Sequence, residues 1–360
     1  MANERWILAP GQRVTFARFM ELALYHPQLG YYARPRGAYP AGPEGDFVTA
    51  PTAHPLFAAL WAEILAALRE RRGQPLTFAD LGAGDGRFLR NLAGFLDAQT
   101  VARLMAVEVS PAGREAMAAS LPQVELAASL AELSPSEGPC VIFASELYDA
   151  LPCHLLEGTE GGLCELYVEA SEDGTLRLVA DNPSTPELSA YLAAYGITLE
   201  AGQRAEVRLE ARRFHQQVLA WAGSDAVVFV LDYGYPARSL YNPRARRGGS
   251  LTGYRQHRVV TDLLSHPGEV DITAHVNWDD LLAAGNDLGF GARPVEPLGL
   301  FLTRWGILEL AGAGGKETSL PWEVRLLVHP AGMGSDLKVL VQGKGALWEC
   351  WQELDGQRRP

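Results

Sequence analysis

The chain has 360 residues, 48% of them hydrophobic and 21% charged, with a formal charge of −12 at pH 7. Such a length and composition support one large core or two modest ones and exclude a disordered chain. The negative charge argues against general nucleic-acid binding, which needs a positive field to meet phosphates.

Residues 1–72 read as a mainly helical amino-terminal extension. Phe16, Phe19, Met20, Leu22, Ala23 and Leu24 mark one helix, with Thr15 as its cap. The Gly- and Pro-rich stretch Leu29–Pro51 forbids long regular structure. Leu56, Phe57, Leu60, Ile64, Ala67 and Leu68 then line one face of a second helix. A sheet begins in residues 73–154. Leu76–Ala79 is a short apolar run, as in a buried parallel strand, and ends at Asp80. Gly82, Gly84 and Gly86 follow, then Phe88, Leu89, Leu92, Phe95 and Leu96 at helical spacing. Leu104–Glu108 is a second strand, before Ser110 and Pro111, which open a helix. Gln123–Leu126 is a weaker third, and Cys140–Ala144 a fourth that runs into Ser145–Pro152.

From 155 to 224 this rhythm breaks. Leu163–Val168 and Leu176–Val179 read as an antiparallel pair, and Pro186–Trp221 as helices, so the segment is read as an insertion. The sheet resumes in 225–345 with Ala226–Asp232, followed by Tyr233 and Gly234. A loop read as a lid spans Tyr235–Arg258; its arginines (Arg244, Arg246, Arg247, Arg255, Arg258) suit a basic patch or a solvated loop equally. Trp278–Leu288 reads as a helix, Ala292–Pro297 as extended and Leu337–Gln342 as the last strand, with 346–360 as a tail. Alternating strands and helices predict an α/β fold with a mostly parallel sheet and right-handed crossovers.

The cysteines (Cys140, Cys153, Cys164, Cys350) show neither C-x-x-C pairing nor metal-ligand spacing with histidine, so no metal site is expected and reduced thiols fit best. Met1–Pro10 shows neither signal-peptide nor transit-peptide character, and no apolar run approaches the roughly 20 residues of a membrane span. The expectation is a soluble, cytoplasmic protein.

The strand, glycine turn and helix at Leu76–Phe88 form a ligand-binding corner, because glycines let backbone amides approach a ligand closely. A dinucleotide site calls for G-x-G-x-x-G. Here the turn is G-x-G-x-G, with Asp80 two residues before its first glycine. This resembles motif I of class I S-adenosylmethionine-dependent methyltransferases, whose donor offers an ammonium and a sulfonium to a carboxylate. A dinucleotide or an ordinary glycine turn are the alternatives.

Asp80, Glu108, Glu146 and Asp232 all fall at strand ends, where such sheets bind ligands, although acids there also serve as caps and turn formers. Glu108 is placed to accept both hydroxyls of a ribose. Glu146 and Asp149, three apart, would share one face if a helical turn starts there, and could clamp a guanidinium; a helix-start acid plus a surface acid is the competing reading. His54, His257 and His275 are candidate bases, His257 foremost, against structural roles for each. A dedicated base is not required if proximity carries methyl transfer.

Further segments carry a family resemblance. G-D-F-V-T-A-P (Gly45–Pro51), the glycine turn, E-L-Y-D-A-L-P (Glu146–Pro152), Asp232–Gly234 with G-S-L-T-G-Y (Gly249–Tyr254), P-G-E-V-D-I-T-A-H (Pro267–His275) and G-M-G-S-D-L-K-V-L (Gly332–Leu340) resemble the MidA family. That family is similar in fold to class I methyltransferases and includes mitochondrial arginine methyltransferases needed for respiratory complex I assembly. The resemblance implies a class I (Rossmann-like), mostly parallel sheet flanked by helices, with an amino-terminal helical extension and an inserted α+β cap. It implies S-adenosylmethionine as donor and a protein arginine, as in a complex I subunit, as acceptor. Asp80, Gly82, Gly84 and Gly86 would hold the methionine end of the donor and Glu108 its ribose. Asp46, Phe47 and Thr49 would close the pocket, and Glu146, Asp149, Tyr233 and Tyr254 would face the acceptor. Departures from the family pattern cluster on the acceptor side: Thr52 for an acid, Ser145 for asparagine, Leu147-Tyr148 for Phe-Phe and Thr252 for arginine. A small molecule with a hydroxyl or amine is the alternative acceptor, and a non-catalytic, donor-binding assembly factor the alternative class.

Overall fold

The apolar runs read from the sequence become strands of a mixed sheet. In the computed structural model, which describes residues 7–33, 49–256, 258–312 and 320–358, these are β1 (Leu76–Leu81), β2 (Val101–Val107), β3 (Glu125–Ala127), β4 (Cys140–Ser145), β5 (Ala226–Tyr235) and β6 (Leu337–Lys344). Asp46, Phe47 and His257 lie outside the described residues. The spatial order is β3–β2–β1–β4–β5–β6, with every neighbouring pair parallel except antiparallel β5–β6. Strand order reverses between β1 and β4, which is where such sheets bind ligands. All six residues of β1 are buried, as a strand covered on both faces must be.

The chain divides into two compact units. One comprises residues 36–147, 215–233 and 282–360 and holds the sheet. Its core is aromatic. Helix Pro55–Arg72 places the Trp61 ring 4.7 Å from both Phe143 of β4 and Phe229 of β5, in edge-on contacts. The segment expected as a tail is instead helix Gly345–Gln357, with Leu347, Trp351 and Leu354 buried at i, i+4 and i+7. Trp351 stacks on Trp305 at 4.8 Å and meets Phe229 edge-on at 4.8 Å. An apolar stripe of this kind needs a core to cover it, which corrects the reading of 346–360 as a tail.

The other unit comprises residues 1–35, 148–214 and 234–281. Strand Arg13–Thr15 pairs antiparallel with Gly162–Ala170, which also pairs with His154–Thr159 and with Leu176–Asp181, the expected hairpin partner. The Thr15 hydroxyl accepts from the Arg18 amide at 3.1 Å and caps helix Phe16–Tyr25, as the sequence leads one to expect. Helices were expected throughout Pro186–Trp221, yet Arg204–Val207 is a strand between helices Glu187–Ala194 and Leu209–Ala222. Backbone pairing with His154–Glu157 and burial of Ala205, Glu206 and Val207 override the local helix formers. The stretch read as a lid contains strand Thr252–Arg255, which pairs with Arg258–Val260 and Asp271–Thr273. The insertion is therefore one part of a unit that also includes the amino-terminal segment and residues 234–281. Among the described residues no helix is long and apolar enough to cross a membrane.

Candidate active site

The glycine corner is built by backbone hydrogen bonds. The amides of Gly82 and Ala83 both donate to the Val107 carbonyl, at 2.8 and 3.2 Å, folding the chain over the end of β2. Gly82, Gly84 and Gly86 have φ of 76°, 63° and 73°, a region that favours glycine. Gly86 also precedes helix Arg87–Ala93, where a Cβ would run into Met117.

Glu108 follows β2 and is 2% exposed. Its Oε2 accepts from the Gly84 amide at 2.8 Å and its Oε1 from the Ser110 amide at 2.6 Å. The carboxylate thus pins the middle glycine of the turn and keeps a free lone pair on each oxygen for a diol. Burial pushes its pKa up to about 7, against the pull of those two amides. Asp80, in β1, is 4% exposed, and no hydrogen bond to its carboxyl is found among the described residues. Burial, and secondly the charge of Glu108, pushes its pKa up to about 8. A carboxyl so placed gains most from a ligand that brings a positive charge. The ammonium and sulfonium of S-adenosylmethionine fit it.

Glu146, just after β4, and Asp232 and Tyr233, inside β5, lie in the same unit as the glycine corner. Glu146 has φ of 51°, unusual for a non-glycine residue, and its amide donates to the Leu231 carbonyl at 2.8 Å. Its Oε1 accepts from the Ala50 amide at 2.9 Å, at the start of the short helix Ala50–Ala53. Thr49 is the cap residue of that helix, its hydroxyl 3.0 Å from that of Thr52. Asp232 accepts from the Leu147 amide at 3.2 Å and the Tyr233 amide at 2.8 Å, bracing the corner as a turn former does. Half-buried Tyr233 packs against the aromatic core.

The helical turn expected to align Glu146 with Asp149 is absent, because the chain leaves β4 through the left-handed conformation at Glu146. Asp149 belongs to the other unit, where it is buried; burial pushes its pKa up to about 6, with the Arg208 charge pulling back. Tyr254 lies in the same unit on strand Thr252–Arg255, 37% exposed. His54 caps helix Pro55–Arg72, its Nδ1 accepting from the Leu56 amide at 3.2 Å, which is a structural duty. His275 is held near pKa 4, first by burial and then by Arg246 and Arg208, so it is neutral at pH 7. Its buried Nδ1 has no hydrogen-bond partner among the described residues.

Sequence reading missed Glu206 and Arg208. Both are buried: Arg208 donates to backbone carbonyls of the Asp149 and His275 segments, and Glu206 accepts from the Ser250 and Leu251 amides. Partners of that kind leave no pattern in a sequence. Among the described residues no group of three or more His, Cys, Asp or Glu is placed to hold a metal ion.

A buried acid in β1 and another just after the neighbouring β2, the latter bonded to a three-glycine turn, is the arrangement expected of a donor-binding α/β methyltransferase. Comparison with known proteins agrees. Residues 56–294 match the family model described as an S-adenosyl-L-methionine-dependent methyltransferase. A protein arginine methyltransferase NDUFAF7 homolog of Drosophila melanogaster is 28% identical over 95% of this chain and 84% of its own length. The Danio rerio protein arginine methyltransferase NDUFAF7 is 27% identical over 84% of this chain and 75% of its own. A Burkholderia thailandensis protein, solved bound to S-adenosyl-homocysteine, superposes with a TM-score of 0.80 at 29% identity, covering 93% of this chain and 88% of its own. The chain belongs to this MidA-like family of S-adenosylmethionine-dependent methyltransferases.

Proposed function

We propose that this methyltransferase acts on a protein arginine, with a subunit of a complex I-like assembly as target. The observation that carries the donor half is the buried, uncompensated Asp80 carboxyl beside the Gly82–Gly86 turn. The acceptor half is supported by likeness to relatives named protein arginine methyltransferases. In this reading the sheet is of the class I, Rossmann-like kind, and the insertion at 155–224 belongs to the part that selects the acceptor. The free thiols of Cys140, Cys153, Cys164 and Cys350 fit a reducing compartment, and the cytoplasm is the proposed location.

The donor supplies a methyl group on a cationic sulfur. Asp80, once ionised, would hold the donor's ammonium, the backbone of Gly82, Gly84 and Gly86 would leave room for its methionine end, and Glu108 would accept from its ribose. Asp46, Phe47 and Thr49 would close that pocket. Asp149 and Tyr254, of the other unit, would face the acceptor. Asp149 as an anion would hold a guanidinium, and neutral His275, or His257, would take the proton released from the methylated nitrogen.

A second reading, a small hydroxyl- or amine-bearing acceptor, is favoured by one observation. The helical turn that would set Glu146 and Asp149 side by side on one face is absent, so that turn does not build the paired clamp a guanidinium asks for. Incubation with tritiated donor and a lysate of the parent cells separates these readings. Label recovered as methylarginine after protein hydrolysis supports the first, and acid-soluble label the second. Donor binding without transfer to either fraction would make the protein a non-catalytic assembly factor.

A further inference from the structure

We infer that Arg208 is a positioning residue for the acceptor, holding the Asp149 segment and the Ala274–His275 turn in one fixed frame. This rests on the reading that Asp149 faces the acceptor.

Arg208 is 5% exposed. Its Nε donates to the Leu151 carbonyl at 2.9 Å and its Nη1 to the His275 carbonyl at 2.8 Å. Its Nη2 donates to the Asp149 carbonyl at 2.6 Å and to the Ala274 carbonyl at 2.5 Å. The two segments also touch directly, the Ala274 amide donating to the Asp149 carbonyl at 3.1 Å. Glu206, two residues earlier, extends the frame. Its carboxylate accepts from the Ser250 amide at 3.0 Å, the Ser250 hydroxyl at 2.9 Å and the Leu251 amide at 3.2 Å. The Ser250 hydroxyl in turn accepts from the His275 amide at 3.0 Å. Gly249 leaves no room for a Cβ beside that carboxylate.

One strand end therefore ties together three segments that the sequence singles out separately: Glu146–Pro152, Gly249–Tyr254 and Pro267–His275. A guanidinium suits this because its donors are fixed in a plane and cover several acceptors at once. A lysine can keep the charge but not the fork. Burying a cation mainly against carbonyls is costly unless an anion is near, and Asp149 is the acid whose pKa Arg208 lowers. The other titratable groups that feel this guanidinium are Cys153, Tyr241 and His275. Burial holds Cys153 up at about 12 and His275 down at about 4, and raises Tyr241 further, so Asp149 is the one that changes charge near pH 6.

The test uses R208K, R208M and D149N in the full chain. Calorimetry with S-adenosylhomocysteine should show unchanged donor affinity in all three, because the glycine corner belongs to the other unit. Tritium transfer from labelled S-adenosylmethionine to lysate protein should fall on the order of 10- to 100-fold in R208K, the size expected when reacting groups are misplaced by about an ångström. In R208M the acid limb of the pH–rate profile should move to higher pH, since Asp149 loses the charge that favours its ionised form; in R208K it should stay. A purely stabilising role would lower the melting temperature of R208K without changing its rate or acid limb, and that result overturns the inference even if R208M fails to fold. Unchanged transfer in D149N overturns the acceptor-side reading and this inference with it. Lost transfer in D149N beside an unaltered R208K overturns the inference alone.

Discussion

In the sheet unit, Asp80 and Glu108 are buried acids: two backbone amides support Glu108, and Asp80 has another acid, Glu108, as the charge acting on it. In the other unit, Asp149 has Arg208 and Asp280 has Arg212 at 2.7 Å. The sheet unit also neutralises acids away from the corner, where Asp355 lies against Arg304 and, at 2.7 Å, Arg293. Asp80 differs in having another acid, Glu108, as the one charge acting on it, and in the proposed reading that is where the ligand would bring the positive charge. Where the chain brings its own cation, the charge fixes backbone instead.

Substitutions can break that contrast, beginning with the largest effect. Trp61→Ala should cost about 3–5 kcal/mol in denaturant unfolding, since the ring fills the space between Phe143 and Phe229; a loss under ~1 kcal/mol would mean the aromatic core does not hold the corner's strands. Gly84→Val should weaken S-adenosylhomocysteine binding on the order of 100-fold by calorimetry, because φ of 63° strains a β-branched residue and its side chain takes ligand space.

Asp80→Asn should act in opposite directions on the two states of the protein. Donor affinity should fall roughly 10-fold, the scale of a lost charged hydrogen bond, while the ligand-free protein becomes more stable at alkaline pH. The sign follows from the carboxyls: Asp80 (about 8) and Glu108 (about 7) lie above their ordinary values, so the folded state binds more protons than the unfolded one between about pH 4 and 8. Ligand-free stability should therefore decline as pH rises through that window, and donor binding should tighten as Asp80 ionises. Melting curves at pH 6 and 8.5, with and without S-adenosylhomocysteine, read both trends; a ligand-free protein that gains stability toward pH 8 would refute the assignment. The smallest effect is expected at half-exposed Tyr254, where alanine should change stability by less than ~0.5 kcal/mol and leave donor affinity alone, yet reduce transfer of label if the ring meets the acceptor.

The same contrast explains what was legible in the sequence. The glycine turn, its flanking acids and the strands β1, β2, β4, β5 and β6 depend on residue types at short spacing, and they stand where the spacing puts them. Arg204–Val207 was not legible as a strand, since a four-residue run with Arg and Glu in it carries no strand pattern and its pairing with His154–Glu157 is remote. Helix Gly345–Gln357 had a readable stripe in Leu347, Trp351 and Leu354, which the Gly345 start and the alternating polar residues obscured. Arg208 binds carbonyls, which every residue carries, so nothing in its neighbourhood announces it.

The position of β6 and the helix after it has a consequence for how the chain matures. Strand β6 completes the sheet against β5, and Trp351 lies against Phe229 and Trp305, so the aromatic core stays open until residues 337–357 arrive. Every segment of the other unit ends by residue 281. During synthesis that unit can close first, while the donor-binding sheet waits on the ribosome with Trp61 and Phe229 uncovered on one side. Chaperone dependence and aggregation of nascent chains should therefore trace to the sheet unit.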